Sequence, residues 1–247
     1  MSLEHYRKAI EDNAIAFEVN CAEQSNLFDA FDAELAAIIG HLNSRLKLLE
    51  VHQRIASTFL VIIHRQFRSG FEHYRRRQSV DGDTVMRIAI ECACHYHKIF
   101  QHPELVVVFA NNLDNPKSFK DSFPDRQLFA ETFLHSARLK GIRDNINSSG
   151  SHPDLLYISQ AIETMDRKWN IHYFDHDNDI YLKKLWQYLD CYWRCIDSIR
   201  SILKNNELLP LSMNNQSGSW NKYSRMMQDY TDKLREITPK PLKIKHK

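Results

Sequence analysis

Glycine and proline are scarce in this sequence, with 6 glycines and 7 prolines among 247 residues. Typical proteins hold roughly 7 % glycine and 5 % proline. Because glycine supplies the positive-φ positions of tight turns and bulges, its scarcity disfavours a strand-rich fold. It also disfavours glycine-rich phosphate loops, and neither G-x-G-x-x-G nor G-K-[ST] occurs. The sequence therefore predicts a helical protein, and we expect no cofactor.

The sequence also lacks a large excess of charge and a long apolar run. Its 33 basic and 31 acidic residues give a net charge of +2, which by itself indicates no polyanionic partner. The longest apolar stretch, 55–63, is interrupted by Ser57 and Thr58, whereas a membrane helix needs about 20 apolar residues. The amino terminus is charged where a signal peptide would be apolar. We expect no membrane contact and a cytoplasmic location.

Apolar residues recur at three- and four-residue steps through most of the chain, which predicts an all-α, multi-helix bundle. Residues 81–83 are predicted to break the chain, with Asp83 at the start of the next helix. Residues 111–124 are turn-rich, and only 169–174 are expected to be extended. The predicted helices span 3–20, 26–50, 52–78, 83–101, 104–110, 125–146, 153–168 and 179–204.

The organisation of the carboxyl-terminal part predicts a separate amphipathic helix. Residues 1–204 form the predicted bundle domain, 205–218 an Asn- and Ser-rich linker, 219–237 a last helix and 238–247 a basic tail. One stripe of that helix is apolar, with Trp220, Tyr223, Met227, Tyr230, Leu234 and Ile237. Soluble monomers rarely expose such a stripe. We expect the helix to dock either on its own bundle or on a second copy, in a two-fold homodimer.

A narrow polar strip lies on the otherwise apolar helix predicted at 83–101. The strip consists of Arg87, Glu91, Cys94, His95 and Lys98. A helix that is apolar nearly all round is usually buried, so the strip is either its one solvent-facing edge or a buried polar site. Both interpretations remain open from the sequence.

A resemblance to a known family rests on Arg87 and Glu91, with Pro103 just past the helix, and on a later Ser148-x-x-x-His152. These motifs resemble a family of bacterial all-helical proteins of unknown function. The resemblance covers about 55–155 and implies a catalytic constellation of Arg87, Glu91, Ser148 and His152. The alternative is a polar network that locks two helices together.

Families of this kind are sometimes linked to the HEPN superfamily, whose ribonucleases carry an arginine and a later histidine with four to six residues between them. Three pairs have this spacing: Arg45 with His52, Arg68 with His73, and Arg167 with His172. A similar number is expected by chance, so the spacing is not evidence by itself. The resemblance implies a metal-independent ribonuclease as the alternative function.

A ligand-rich segment near residue 175 raises the question of a metal site. His172 and His176 alternate there with Asp175, Asp177 and Asp179. Ile180 occupies the position where a calcium loop requires glycine, which excludes an EF-hand. Capping of the following helix explains the acidic residues more simply. We therefore predict no metal site, and the five cysteines are expected to be reduced thiols.

A basic cluster, Arg75-Arg76-Arg77, ends the long helix predicted at 52–78, with Arg65 and Arg68 nearby. Cations at this position also neutralise the terminal carbonyls of a helix. The alternative is a phosphate-contacting surface for RNA or DNA. Since no nucleophile, metal cage or phosphate loop is convincing, we predict a binding module for nucleic acid or a protein partner.

Overall fold

A computed structural model of the chain describes residues 2–124, 127–149, 162–165, 168–171, 173–210, 213 and 218–237. Within these ranges it contains nine α-helices, a 3-10 turn at Leu46–Leu48 and one antiparallel hairpin. The hairpin joins β1, Ile162–Met165, to β2, Lys168–Ile171, with Ile162 opposite Ile171. The helices are α1 Leu3–Asn20, α2 Ala22–Ser44, α3 Val51–Arg75, α4 Ser79–Gln101, α5 Leu105–Ala110, α6 Pro116–Ser122, α7 Ser136–Ser149, α8 Asn178–Asn205 and α9 Gly218–Ile237.

The predicted all-α bundle with a carboxyl-terminal helix is confirmed, and the small hairpin is an addition to it. The chain divides into two compact units, Met1–Leu209 and Pro210–Lys247. The first unit contains α1 to α8, and the second contains α9. Among the residues that the structure describes, no helix is both long and apolar enough to cross a membrane.

The core of the first unit lies where α2, α3, α4 and α8 meet, and aromatic rings fill it. Phe28 of α2 stacks on Phe71 of α3 with ring centroids 3.8 Å apart. Phe67 of α3 stacks on Tyr192 of α8 at 4.1 Å. Tyr188 of α8 is fully buried and donates a hydrogen bond to the carbonyl of Phe67. The aromatic residues of α8 therefore belong to the packed interior.

Two glycines allow α3 and α4 to approach closely. A Cβ atom on Gly82 would lie 2.7 Å from the ring of Tyr74 and 3.1 Å from the carbonyl oxygen of Gly70. A Cβ atom on Gly70 would lie 2.9 Å from the ring of Tyr188. The prediction that residues 81–83 break the chain is therefore wrong, because Gly82 lies inside α4 and serves helix packing there.

The start of α4 is set by a residue that is distant in sequence. The amide of Ser79 donates to Oδ2 of Asp175 at 2.9 Å, and the Ser79 hydroxyl donates to Oδ1 at 3.0 Å. This carboxylate satisfies an amide of the first turn that has no partner within the helix. Because Asp175 caps α4 at Ser79, Asp83 lies within the helix and is not its cap.

Further boundaries differ from the prediction. The helix predicted at 26–50 is α2, Ala22–Ser44, and the 3-10 turn at Leu46–Leu48 follows it. His135 adopts a left-handed conformation, φ 63°, so α7 begins at Ser136 and not near residue 125. The predicted turn region contains α6, whose amino terminus is capped by Asn115 through the amide of Ser118. The predicted helix 153–168 is wrong at residues 162–165, which pair with β2. Its residues 153–161 lie outside the described part of the chain.

Candidate functional site

Arg87 and Glu91 form a partly exposed ion pair on one turn of α4. Nε of Arg87 lies 3.1 Å from Oε1 of Glu91, and the two side chains are 39 % and 30 % exposed. Ser148 lies in the last turn of α7, but its side chain and all of His152 lie outside what the structure describes. The catalytic constellation of these four residues thus stays a prediction.

The Arg75-Arg76-Arg77 cluster divides into two paired arginines and one that faces a cavity. Arg75 contacts Glu18 at 2.7 Å and Glu72 at 2.8 Å, and Arg76 lies 3.7 Å from Glu72. A phosphate at Arg75 or Arg76 would compete with these carboxylates. Arg77 bonds instead to neutral oxygens of a neighbouring segment.

The solvent-facing side of α3 carries three more arginines, Arg54, Arg65 and Arg68. At 100° per residue they lie within about 60° of one another around the helix. In the described part of the chain, no carboxylate lies within ion-pair distance of Arg54 or Arg65. Glu72 is the only acidic residue of α3, which also carries Arg75. We refer to Arg54, Arg65 and Arg68 as the arginine face.

Asp32 of α2 holds one member of the arginine face in a fixed geometry. Nε and Nη2 of Arg68 each donate to a different Asp32 oxygen at 2.7 Å. His64 lies 2.6 Å from the same carboxylate. Burial alone would raise the pKa of Asp32, but the hydrogen bond from Arg68 and the nearby charges hold that pKa below its ordinary value. Arg68 is therefore held in place on this face, and a phosphate at Arg68 would have to compete with Asp32, as it would with the carboxylates at Arg75 and Arg76.

A buried polar network lies at the junction of α3, α4 and α8. The Tyr74 hydroxyl donates to Oδ1 of Asp83 at 2.6 Å, and Nζ of Lys184 lies 3.4 Å from Oδ2. Burial raises the pKa of Asp83, while Lys184 and the Tyr74 hydrogen bond oppose the shift. Lys184 also donates to the hydroxyl of Ser79. This network fixes the segment around Asp175 against the α3–α4 turn.

Residues of the described part of the first unit line at least two cavities. One, of about 230 Å³, lies between α1 and the amino-terminal end of α8 beside Arg77. The other, of about 470 Å³, lies at the carboxyl-terminal end of α4. Burial lowers the pKa of His97 in the larger cavity to about 4, so this imidazole is neutral at pH 7. The larger cavity is lined by His97, Lys98, Gln101, His102, Glu131 and Thr132, among others.

Two predictions concern metal-binding side chains and cysteines: that there is no metal site and that the thiols are reduced. In the ranges that the structure covers, no three His, Cys, Asp or Glu side chains are placed to hold a metal ion. His172 lies outside those ranges, and Asp177 caps α8 by accepting from the amide of Ile180 at 2.9 Å. All five cysteines are free thiols.

The predicted arginine and histidine pairs have different surroundings. Arg68 is held by Asp32, while His73 is partly buried on the same helix. His52 lies 3.3 Å from Glu50 at the start of α3. The pair Arg167 and His172 lies outside the described residues.

No family model, curated protein or solved structure matches this chain.

Sequence reasoning missed two features of these sites. It emphasised Arg75 to Arg77, although the pairing of Arg75 depends on Glu18, which lies in another helix. It did not include Arg54, whose helical phase relative to Arg65 and Arg68 was the available signal. Asp83 was interpreted as a cap because Asp-Gly-Asp is a common chain-breaking pattern.

Proposed function

We propose that this protein is a nucleic-acid-binding module that contacts phosphate groups through the arginine face of α3. The observation that carries the proposal is the exposure of Arg54 and Arg65 without an acidic partner. Arginine stays charged at all physiological pH values and offers a planar set of donors that fits phosphate oxygens. The bidentate bond to Asp32 orients Arg68 on the same face.

The spacing of the arginine face fits a polynucleotide better than a single small anion. Arg54 and Arg65 are 11 positions apart in α3, which corresponds to about 16 Å along the helix axis. Each strand of duplex DNA carries one phosphate per roughly 3.4 Å of axis. Two phosphates of one backbone, several nucleotides apart, can thus meet both guanidinium groups.

The proposal is tested by titrating the full chain with labelled single-stranded RNA, duplex RNA and duplex DNA at several salt concentrations. Binding is expected to weaken steeply with salt, because each phosphate contact releases counterions. The double variant Arg54→Gln/Arg65→Gln is expected to reduce the slope of log K against log salt by about 2, or roughly one for each lost contact. The three nucleic acids show which backbone geometry is preferred.

The matched control is Arg75→Gln/Arg76→Gln, which removes the same charge from residues that are paired with Glu18 and Glu72. It is expected to change the slope less than the first double variant does. Equal losses in both would show that only net charge matters and would contradict a defined face. Absence of binding at low salt would overturn the proposal, and a protein partner would then be the remaining kind of ligand.

The same RNA samples test the ribonuclease alternative. Cleavage that persists in EDTA and disappears in a His152→Ala variant would assign an enzyme to the predicted constellation of Arg87, Glu91, Ser148 and His152. Intact RNA in the bound fraction would support the binding module. The proposed binding function needs no reacting group, since it rests on exposed charge alone.

A further inference from the structure

The cavity beside Arg77 has a polar wall made by three amide side chains and a guanidinium group. Asn13 and Asn20 of α1 lie on one side, and Arg77 and Asn178 lie on the other. Phe17 and Tyr181 contribute apolar surface. Ala16 and Asn20 are exposed, so the cavity opens to solvent along α1.

Some of the hydrogen-bond donor atoms on this wall have acceptors among the described residues, and others do not. Nε of Arg77 donates to the carbonyl oxygen of Asp175 at 2.7 Å, and Nη1 donates to Oδ1 of Asn178 at 2.8 Å. Neither Nη2 of Arg77 nor Nδ2 of Asn178 has an acceptor among the described residues. Because Arg77 and Asn178 are already bonded to each other, two free donors are available within one small region of the wall.

The backbone of Arg77 also departs from the usual preference. Arg77 has φ 58° and follows the end of α3, where its amide bonds back to the carbonyl of Tyr74. Glycine is the usual residue at this left-handed position, and other residues there cost about 1 kcal/mol or more. An arginine therefore stands at a position that favours glycine, and backbone strain of this kind is frequent at functional sites.

The charge of Arg77 acts inside the cavity. Cys21 also lines the cavity, where burial raises the pKa of its thiol and Arg77 opposes that shift. The carboxylate of Asp175 interacts electrostatically with Arg77 and Lys184, but its oxygens accept hydrogen bonds from Ser79. The direct hydrogen-bond acceptors of Arg77 are neutral oxygens, so no carboxylate of the described residues is hydrogen-bonded to its guanidinium group.

We infer that this cavity binds a small molecule that carries a carboxylate or phosphate group, with Arg77 and Asn178 as its oxyanion donors. A volume of about 230 Å³ corresponds to roughly eight water molecules at about 30 Å³ each. This cavity volume is smaller than that of pockets that bind drug-sized ligands, which is roughly 300–1,000 Å³. The site therefore fits a ligand of a few carbon atoms and is too small to enclose a whole nucleotide. None of the residues that line it belongs to the arginine face.

The inference is tested on the full chain with inorganic phosphate and succinate as probes at constant ionic strength. Iodoacetamide labelling followed by peptide mass spectrometry measures the alkylation rate of Cys21, with Cys92 of α4 as an internal reference. A bound probe is expected to slow alkylation of Cys21 saturably and to leave Cys92 unchanged. The probe that protects at the lower concentration identifies phosphate or carboxylate as the preferred group.

Three variants make the test specific. Arg77→Gln is expected to weaken probe affinity by roughly 10- to 100-fold, the usual effect of losing a charged hydrogen bond. Arg76→Gln removes the same charge one residue away and is expected to preserve affinity. Asn178→Ala removes the second proposed donor and adds no bulk that would obstruct iodoacetamide, so it also tests the site if Arg77→Gln fails to fold.

Protection of Cys21 that is weakened in Arg77→Gln and Asn178→Ala but kept in Arg76→Gln would support the inference. Absence of protection by both probes would overturn it. Equal weakening in Arg76→Gln and Arg77→Gln would also overturn it, because the effect would then reflect net charge and not this cavity. Binding of nucleic acid in the same samples is measured separately, so the two sites can fail independently.

Discussion

Acid is expected to destabilise the first unit through His95, whose imidazole lies in a cluster of phenylalanine rings. Its centroid is 5.3 Å from that of Phe123 and 6.0 Å from that of Phe119. Its Nδ1 atom is buried, and no described residue forms a hydrogen bond with it. Burial, with a smaller effect of Lys98, lowers the pKa of His95 from 6.5 to about 4.

The sign of the effect follows from proton binding. Since the pKa of His95 is lower in the folded state, the unfolded chain binds the extra proton more readily. The contribution of His95 to stability is complete above pH 6.5 and is lost as the pH falls towards 4. With a pKa of 6.5 in the unfolded state and about 4 in the folded state, the free energy of unfolding at pH 5 falls by at most about 2 kcal/mol. One pKa unit corresponds to about 1.4 kcal/mol.

The measurement is urea unfolding followed by circular dichroism at pH 7 and pH 5. His95→Phe keeps a ring in the cluster and removes the titrating group, so its stability should fall less between the two pH values than that of the wild type. His97 has a similarly low pKa and titrates in both proteins, so it cancels in the comparison. His102→Gln, on an exposed histidine, is the control. The reasoning would be refuted by an equal pH dependence in the wild type and His95→Phe.

Three further predictions concern helix packing, a helix end and assembly. Gly82→Ala should lower the free energy of unfolding by about 1–3 kcal/mol, because the added Cβ atom would lie 2.7 Å from the Tyr74 ring. Urea unfolding measures this change. Gly40→Ala is the control, since its Cβ atom meets nothing within 4 Å, and a gain of about 0.5–1 kcal/mol is expected. Glu207→Gly should stabilise the protein by up to about 1 kcal/mol because Glu207 has φ 56°, and a lower unfolding midpoint would contradict this. The predicted homodimer should dissociate when residues 219–247 are deleted, and light scattering that shows a full-length monomer at high concentration would reject it.

Local patterns in the sequence were sufficient for much of the fold. The bounds of α1 agree with the predicted helix 3–20, and α8 agrees within one residue at each end with the predicted helix 179–204. Both helices are long and have a regular apolar stripe, so periodicity determines their extent. The fold class followed because helices of this kind dominate the chain.

The remaining features depend on contacts between residues that are distant in sequence. No local pattern shows that Asp175 caps α4, or that Gly82 packs on Tyr74 within a helix. Whether the arginines of a basic cluster are ion-paired depends in the same way on carboxylates from other helices, such as Glu18 beside Arg75. Sequence reasoning can therefore locate arginines on a helix face, but only the packed structure shows which of them remain unpaired.

The hydrogen bond from the Ser79 amide to Asp175 makes this amide a reporter of local opening. The first amides of a helix ordinarily exchange their protons with solvent quickly, because no helical carbonyl accepts from them. The Ser79 amide is instead protected by a residue that is 96 positions away in the sequence. Its rate of hydrogen exchange thus measures how often the segment that precedes α8 separates from α4. One amide signal can therefore follow undocking of this segment even when the helices themselves stay folded.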